Sequence, residues 1–281
     1  MFRKISTIIM LSLFFIGLSV LLYPAISSYW NTKTQSYAVE NYENMLENLG
    51  DIDYDELFRA ASDYNTALTE LPSQFSDYPS LDKEYQAALN LGNDGMMGYI
   101  SIDNIGVTIP IYHGTSETVL SKAAGHVEGT SLPIGGESTH SVISAHRGLP
   151  NAKMFTDLDK LQLGDTFKIT VYDRVMVYQV DSILVVTPEN ATNIVVENGK
   201  DLCTLLTCTP YSINSHRLLV RGSRIDELTE KTAHIGAEAF RIDALIVTPI
   251  VALPILLVLI IYVSLQPVKR ENLIEGDDIN A

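Results

Sequence analysis

Cysteine is scarce in this 281-residue chain, which has only Cys203 and Cys208. The two lie five apart in DLCTLLTC, a run that reads as one strand. An odd separation turns their side chains to opposite faces, and five residues of strand span roughly 16 Å. A disulfide needs Cα atoms within about 7 Å, so the two are not expected to join and Cys208 is left as a free thiol. Basic residues are also few: nineteen Lys and Arg stand against thirty-four Asp and Glu, for a net charge of −15. A basic face for nucleic acid is therefore excluded. The excess is concentrated between Ala38 and Asp94, where thirteen acidic and two basic residues leave net −11. That pattern reads as a solvated helical face rather than an acidic docking site. Internal repeats and low-complexity tracts are absent.

Charge of either sign is missing from two long stretches, Ile5–Thr32 and Ala244–Val268. Each exceeds the ~20 apolar residues a helix needs to cross a bilayer. Pro249 and Pro254 would break a soluble helix but are tolerated in a spanning one. Tyr23, Tyr29, Trp30 and Tyr262 stand where interfacial aromatics usually sit. The first stretch could instead be a cleaved signal peptide, because Ala25-Ile26-Ser27 resembles a cleavage site; its length favours a retained anchor. Arg3 and Lys4 precede the first span, and Lys269 and Arg270 follow the second, against only Lys33 and Arg241 on the opposite flanks. The bias puts both termini in the cytoplasm and the intervening residues outside the cell. An idle thiol is unusual there, which raises the prospect that Cys208 does chemistry.

These signals divide the chain into seven segments. Residues 1–4 are cytoplasmic, 5–30 a signal-anchor helix, 31–94 an acidic helical extension, 95–226 a catalytic barrel, 227–243 a linker, 244–266 a second membrane helix and 267–281 a cytoplasmic tail. Within the extension, AVENYENMLENLG, YDELFRAASDYNTALTEL and LDKEYQAALNLG read as helices closed by Gly50, Pro72 and Gly92. From Gly98 the period changes. GYISI, GVTIPIY, HSVISAH, TFKITVY, RVMVYQVDSILVV, DLCTLLTC and RLLVRGSRI are short β-branched runs parted by turn residues. Seven or eight strands without regular intervening helices predict a mainly β fold, a closed or nearly closed barrel.

Six histidines could partner Cys208: His113, His126, His140, His146, His216 and His234. His146 ends SVISAH, at a strand's exit onto a loop. A thiol is nucleophilic as thiolate, which a nearby imidazolium or guanidinium favours. An imidazole can also deliver a proton to a leaving amine. Arg217, nine residues after Cys208, can hold a developing oxyanion, being always charged and rigidly forked. Taken singly, each has a plainer explanation: a packed cysteine, a surface histidine, a solvated arginine. Their shared context changes the balance.

TLLTC resembles the TLxTC signature of sortases, with Arg217 following at the start of the next strand as in that family. SAHRG resembles the family's histidine segment. The resemblance spans roughly residues 95 to 225, including GYISIDNIGVTIPIYHGT and GHVEGTSLPIGG. With CTPYSINSHRLLVRG and the carboxyl-terminal apolar span, the chain resembles the pilus-assembling class C enzymes more than the housekeeping type. The resemblance implies an eight-stranded sortase barrel, with Cys208 as nucleophile, His146 as general acid and base, and Arg217 as oxyanion support. It further implies LPxTG-like sorting signals of pilins as substrates and a pilin lysine amine as acceptor. No cofactor or metal is implied, and no ligand cluster for calcium is evident.

One family feature is missing. Many class C enzymes carry an Asp-Pro-aromatic lid before the barrel, and here only Asp77-Tyr78-Pro79 and the 93–97 stretch come near it. With Gly92, Gly95 and Gly98 close together, the 92–98 stretch is expected to be loose and the thiol constitutively accessible. The alternatives are a housekeeping-type sortase anchoring proteins to peptidoglycan, an L,D-transpeptidase-like enzyme, and a non-catalytic membrane scaffold. The S/T-H-G-C motif of the second is absent, and papain-like peptidases place Cys before His, the reverse of this chain.

Overall fold

The computed structural model describes residues 2–226, apart from 49, 51, 150, 151 and 191, and for residues 2–8 and 10 the backbone alone. The expected linker, second membrane helix and tail lie outside the described residues. The first element, α1 (Phe2–Asn48), is one uninterrupted helix of 47 residues. Expected instead were a span ending near residue 30 and a separate helix from residue 38. The polar stretch 31–37 does not break the helix, because residues from Gln35 onward are anchored to the barrel. Gln35 Nε2 donates to the Lys122 carbonyl at 3.0 Å, and Val39 and Tyr42 are buried. The amino-terminal half keeps its apolar side chains exposed, including Phe15, Val20 and Trp30. By length and composition this helix could cross a membrane or form part of a signal.

The rest of the extension is short helices: α2 (Tyr54–Glu70), α3 (Gln74–Asp77) and α4 (Asp82–Ala87). Asp53 caps α2, its carboxylate accepting from Glu56 N at 3.1 Å. Phe58, Ala61, Tyr64 and Leu68 recur at helical spacing and form the buried face of α2. The strands are β1 (Met96–Ile102), β2 (Val107–His113), β3 (Ala124–His126) and β4 (Thr139–Ser144). They continue as β5 (Thr166–Val171), β6 (Arg174–Val186), β7 (Asp201–Thr209) and β8 (His216–Ile225), with one-turn α5 (Glu117–Leu120) between β2 and β3.

The eight strands close in the order β1-β2-β3-β4-β7-β8-β6-β5. Seven of them are the β-branched runs of the sequence. The eighth, β3, is three residues, Ala-Gly-His, too short to leave a period. Two neighbours are parallel, β2 with β3 and β4 with β7. Alternation sets the faces. Cys203, Leu205, Leu218 and Val220 point inward with Ile100, Ile143 and Phe167, whereas Leu206 and Leu219 belong to a separate cluster outside the barrel. Cys203 and Cys208 are both free. Closure is tight beside β8, where a Cβ on Gly222 would meet Phe167 at 2.8 Å and Tyr178 at 2.9 Å.

Tyr85 of α4 ties the extension to the barrel. Its hydroxyl meets His126 Nδ1 at 3.0 Å and accepts from Gly114 N at 2.9 Å. His126 is fully buried, with Nε2 2.9 Å from the Ser131 carbonyl. Burial pushes this imidazole down to about 4, so it is neutral at pH 7, donating to Ser131 O and accepting from Tyr85. In the unfolded chain it titrates near 6.5. Below that pH the unfolded state takes up the proton first, so stability is lost as pH falls from about 6.5 to about 4 and no further below. The shift corresponds to roughly 3 kcal/mol, and His140, also lowered by burial, acts in the same direction. Thermal denaturation should therefore show a falling midpoint between pH 7 and 4.5. His126→Gln should be less stable at pH 7 but flatter across that range; equal slopes in the two proteins would refute the assignment.

Candidate active site

Strands β4 and β7 run parallel in strict register, from Thr139 opposite Asp201 to Ser144 opposite Leu206. Beyond Ser144 the pairing continues by other means. Ala145 N donates to the Leu206 carbonyl at 3.1 Å, and the Thr207 hydroxyl donates to the Ala145 carbonyl at 2.8 Å across the same separation of 62 residues. Extended one step further, the same register would bring His146 opposite Cys208. Parallel neighbours lie about 4.8 Å apart and in-register side chains share a face. On the other side of β7, Cys208 is the antiparallel partner of Arg217 on β8. Residues directly opposite have Cβ atoms roughly 5 Å apart, within reach of a long side chain. The fold thus pairs Cys208 with Arg217 across β7 and β8 and brings the chain that follows β4, with His146, to the same end of these strands.

Cys208 is half-buried. The Arg217 Nη1 donates to the carbonyls of Asn214 at 3.2 Å and His216 at 3.1 Å, so the loop before β8 holds one arm of the fork. His146 keeps 28% of its side chain exposed, with Nε2 3.6 Å from the Glu117 carboxylate in the first turn of α5. Nothing in the sequence marked Glu117, a lone acid in a loop. A thiol flanked by imidazole and guanidinium can act as nucleophile, with a proton carrier beside it and a fixed cation for the oxyanion. Among the described residues, no group of three or more His, Cys, Asp or Glu is placed to hold a metal.

The other five histidines lie elsewhere or are engaged. His126 and His140 are buried; His140 Nε2 is 2.7 Å from the Thr204 hydroxyl and Nδ1 2.8 Å from the Val195 carbonyl. His113 bridges the carbonyls of Gly95 and Ala88. His216 is exposed beside Ser215, and His234 lies outside the described residues.

The segments around the outer face are held more firmly than the expected looseness of 92–98. Val142, Leu206 and Leu219, on the same outer face, form an apolar floor with Ile194, Val127 and Val186, and the ring of Phe75 in α3 lies on it. The segment is docked at three points. Gln74 Nε2 donates to the Gly129 carbonyl at 2.7 Å, its Oε1 accepts from Val196 N at 3.3 Å, and Tyr78 crowds Gly129, where a Cβ would meet the ring at 2.9 Å. Neither candidate aspartate anchors it to Arg217: Asp77 accepts from Ser73 N and Asp94 from Met96 N. The glycine-rich 92–98 stretch is pinned as well. Gly95 N donates to Asn90 Oδ1 at 2.9 Å, and His113 N donates to the Gly95 carbonyl at 2.9 Å. Local side-chain bonds offset the entropy that the glycines would otherwise retain.

A family model, the sortase domain, matches residues 100–225. The crystal structure of sortase C1 from Streptococcus agalactiae is 42% identical, with a TM-score of 0.65, covering 68% of this chain and 99% of that one. Sortase C-1 from Streptococcus pneumoniae is 44% identical, with a TM-score of 0.59, covering 68% and 98%. The chain belongs to the sortase family. Its solved neighbours carry the class C name, while a sortase A of Bacillus anthracis is 25% identical over 82% of this chain and 99% of its own length. This sortase is therefore a transpeptidase of the cysteine type, on the eight-stranded barrel that the resemblance implied.

Two thiols in one strand give an internal control. Cys203 is fully buried and its thiol is pushed well up by burial, so it should resist alkylation while half-exposed Cys208 reacts. Mass spectrometry of iodoacetamide-treated folded protein should find one label, on Cys208. Phe75 covers the floor rather than the thiol, so Phe75→Ala should change that labelling rate less than about three-fold. A sorting peptide that binds on the floor should gain: about 1 kcal/mol of released apolar contact corresponds to roughly five-fold in kcat/KM. An unchanged kcat/KM in a folded Phe75→Ala protein would show that peptide and ring do not compete.

Proposed function

We propose that this sortase is a membrane-anchored pilin polymerase, in which Cys208, His146 and Arg217 cleave LPxTG-like sorting signals and join them to a pilin lysine. The observation that carries the assignment is the pairing of Cys208 with Arg217 across β7 and β8, with the chain that follows β4 and bears His146 brought to the same end of these strands. The kinship with a sortase C of Streptococcus pneumoniae described for its pilin substrate specificity, at 42% identity over 97% of that chain, supports pilins over other surface proteins.

The Cys208 thiolate attacks the carbonyl carbon of the substrate threonine, and Arg217 stabilises the oxyanion of the tetrahedral adduct. Collapse breaks the Thr–Gly bond as the His146 imidazolium gives its proton to the departing glycine amine, leaving a thioester on Cys208. The lysine amine then attacks that thioester while neutral His146 takes its proton. The second adduct expels the Cys208 thiolate and leaves an isopeptide bond, with His146 protonated as at the start. The reaction thus returns both groups to their initial state and needs no cofactor.

The apolar half of α1 suits a membrane anchor. With the span at 244–266, it would give a two-pass protein with an extracellular catalytic domain and cytoplasmic ends. The second reading is a housekeeping enzyme that transfers proteins to peptidoglycan, favoured by the likeness to sortases A, one of them matched over 99% of its own length.

Cys208→Ala should abolish high-mass covalent pilin ladders on denaturing gels, and Cys203→Ala should leave them nearly intact. Arg217→Ala should lose roughly 100- to 1,000-fold in rate, the usual cost of an oxyanion donor, and Arg217→Lys most of it, because lysine lacks the fork. Ladders surviving in Cys208→Ala, with no second sortase in the cell, would remove the catalytic assignment; surface proteins fixed to the wall without ladders would favour the housekeeping reading. Topology is tested separately. Protease added to intact protoplasts should digest the catalytic domain and spare tags at both ends, and loss of the carboxyl-terminal tag would exclude the two-pass arrangement.

A further inference from the structure

The register that would bring His146 opposite Cys208 would bring Arg147 opposite Thr209 one step on, and alternation turns this second pair to the opposite side of the strands. The side chain of Arg147 is 9% exposed. Its Nη1 donates to the Thr209 hydroxyl at 3.1 Å, across the same 62-residue separation as the last β4–β7 contact, and its Nη2 donates to Asp159. Its Nε is buried without a hydrogen-bond partner among the described residues. Neighbouring bonds fix the backbone: the His146 carbonyl accepts from Phe155 N at 3.1 Å, and Gly148 N donates to the Thr156 hydroxyl at 3.1 Å. At this point β4 has left the ladder, and among the described residues no backbone bond joins residues 146 and 147 to β7.

We propose that Arg147 is a positioning residue for the sortase reaction, its guanidinium clasping Thr209 and Asp159 so that the loop bearing His146 stays in register with Cys208. The inference rests on the assignment of His146 and Cys208 as the reacting pair. Proton transfer requires the imidazole within hydrogen-bond reach of the leaving amine, and a displacement of about 1 Å can lower a rate by roughly 100-fold. Past Ser144 no ladder holds the loop bearing His146 to β7, whose own end at Cys208 and Thr209 is paired with β8 on its other side. A planar fork can hold both at once, whereas a lysine can reach only one. An ion pair serving the loop's stability alone would need only Asp159. The bond to Thr209, the residue after the nucleophile, is the part that stability does not require.

The test is a set of substitutions in the full chain, with steady-state kinetics on a sorting-signal peptide and melting temperatures measured in parallel. Thr209→Val keeps the shape and removes the acceptor; Thr209→Ser restores it. Thr209→Val should lower kcat roughly ten-fold with KM and melting temperature nearly unchanged, and Thr209→Ser should stay within about two-fold of wild type. Arg147→Lys should lose at least as much, and adding Thr209→Val to it should cost little more, because the clasp is already open. Should Arg147→Lys fail to fold, the two Thr209 variants decide alone. A kcat for Thr209→Val within about two-fold of wild type would overturn the proposal, as would losses that track the melting temperature or simply multiply in the double variant. Cys208→Ala is assayed alongside: activity surviving there would remove the underlying assignment, not the clasp specifically.

Discussion

The parallel pairing of β4 with β7 is the constraint on which the rest of the site depends. Parallel strands cannot be joined by a tight turn, so the chain leaves β4, travels through β5 and β6 and returns as β7 before the pair can form. The histidine and cysteine are therefore far apart in sequence and adjacent in space. Their register is not open to drift. A slip of one residue would drive Leu205 and Cys203 out of the barrel and Leu206 into it. The interior packing thus fixes the strands as far as Ser144 and Leu206, and the loop bearing His146 starts from that fixed end.

The division between faces has consequences for the thiols. Cys203 and Cys208 share a strand, but only the even-numbered positions of β7 look outward. The barrel holds Cys203 against Tyr178 and Asp201, where burial suppresses its thiolate. Cys208 lies at the strand end, paired with Arg217 of β8. One strand therefore carries an inert and an addressable thiol, and parity decides which is which.

Much of this was legible in the sequence. Seven of the eight strands show as β-branched runs, because a strand buried on at least one face writes its period into four or more residues. Cys208, His146 and Arg217 could be named because a short motif with its following arginine, and a second motif upstream, carry them. What remained hidden is what depends on contacts between distant segments. β3 is a three-residue bridge with no period. The continuity of α1 through 31–37 comes from Gln35, Val39 and Tyr42 meeting the barrel, not from local propensity. Phe75 looked like any residue between two helices, and Gly92, Gly95 and Gly98 looked like slack; the bonds from Asn90, Asp94 and His113 that take up the slack come from outside the glycines. Arg147 was visible only as the letter after a histidine.

The helical extension and the catalytic face are linked through the same few residues. α4 is tied to β2 and β3 by Tyr85 with His126 and Gly114, while α3, a few residues earlier, lays Phe75 across the floor beside Cys208. Gln74 carries the extension over to the 192–196 segment, which His140 in turn binds through the Val195 carbonyl. A peptide laid on this floor would displace Phe75 without disturbing Tyr85, whose partners His126 and Gly114 are buried. The extension can thus yield at one end and hold at the other. The balance is set by unequal burial: Phe75 is only partly covered, whereas Tyr85 and His126 are enclosed and hydrogen-bonded. Phe75 is therefore the contact that costs less to release, and releasing it would leave the barrel and its register intact.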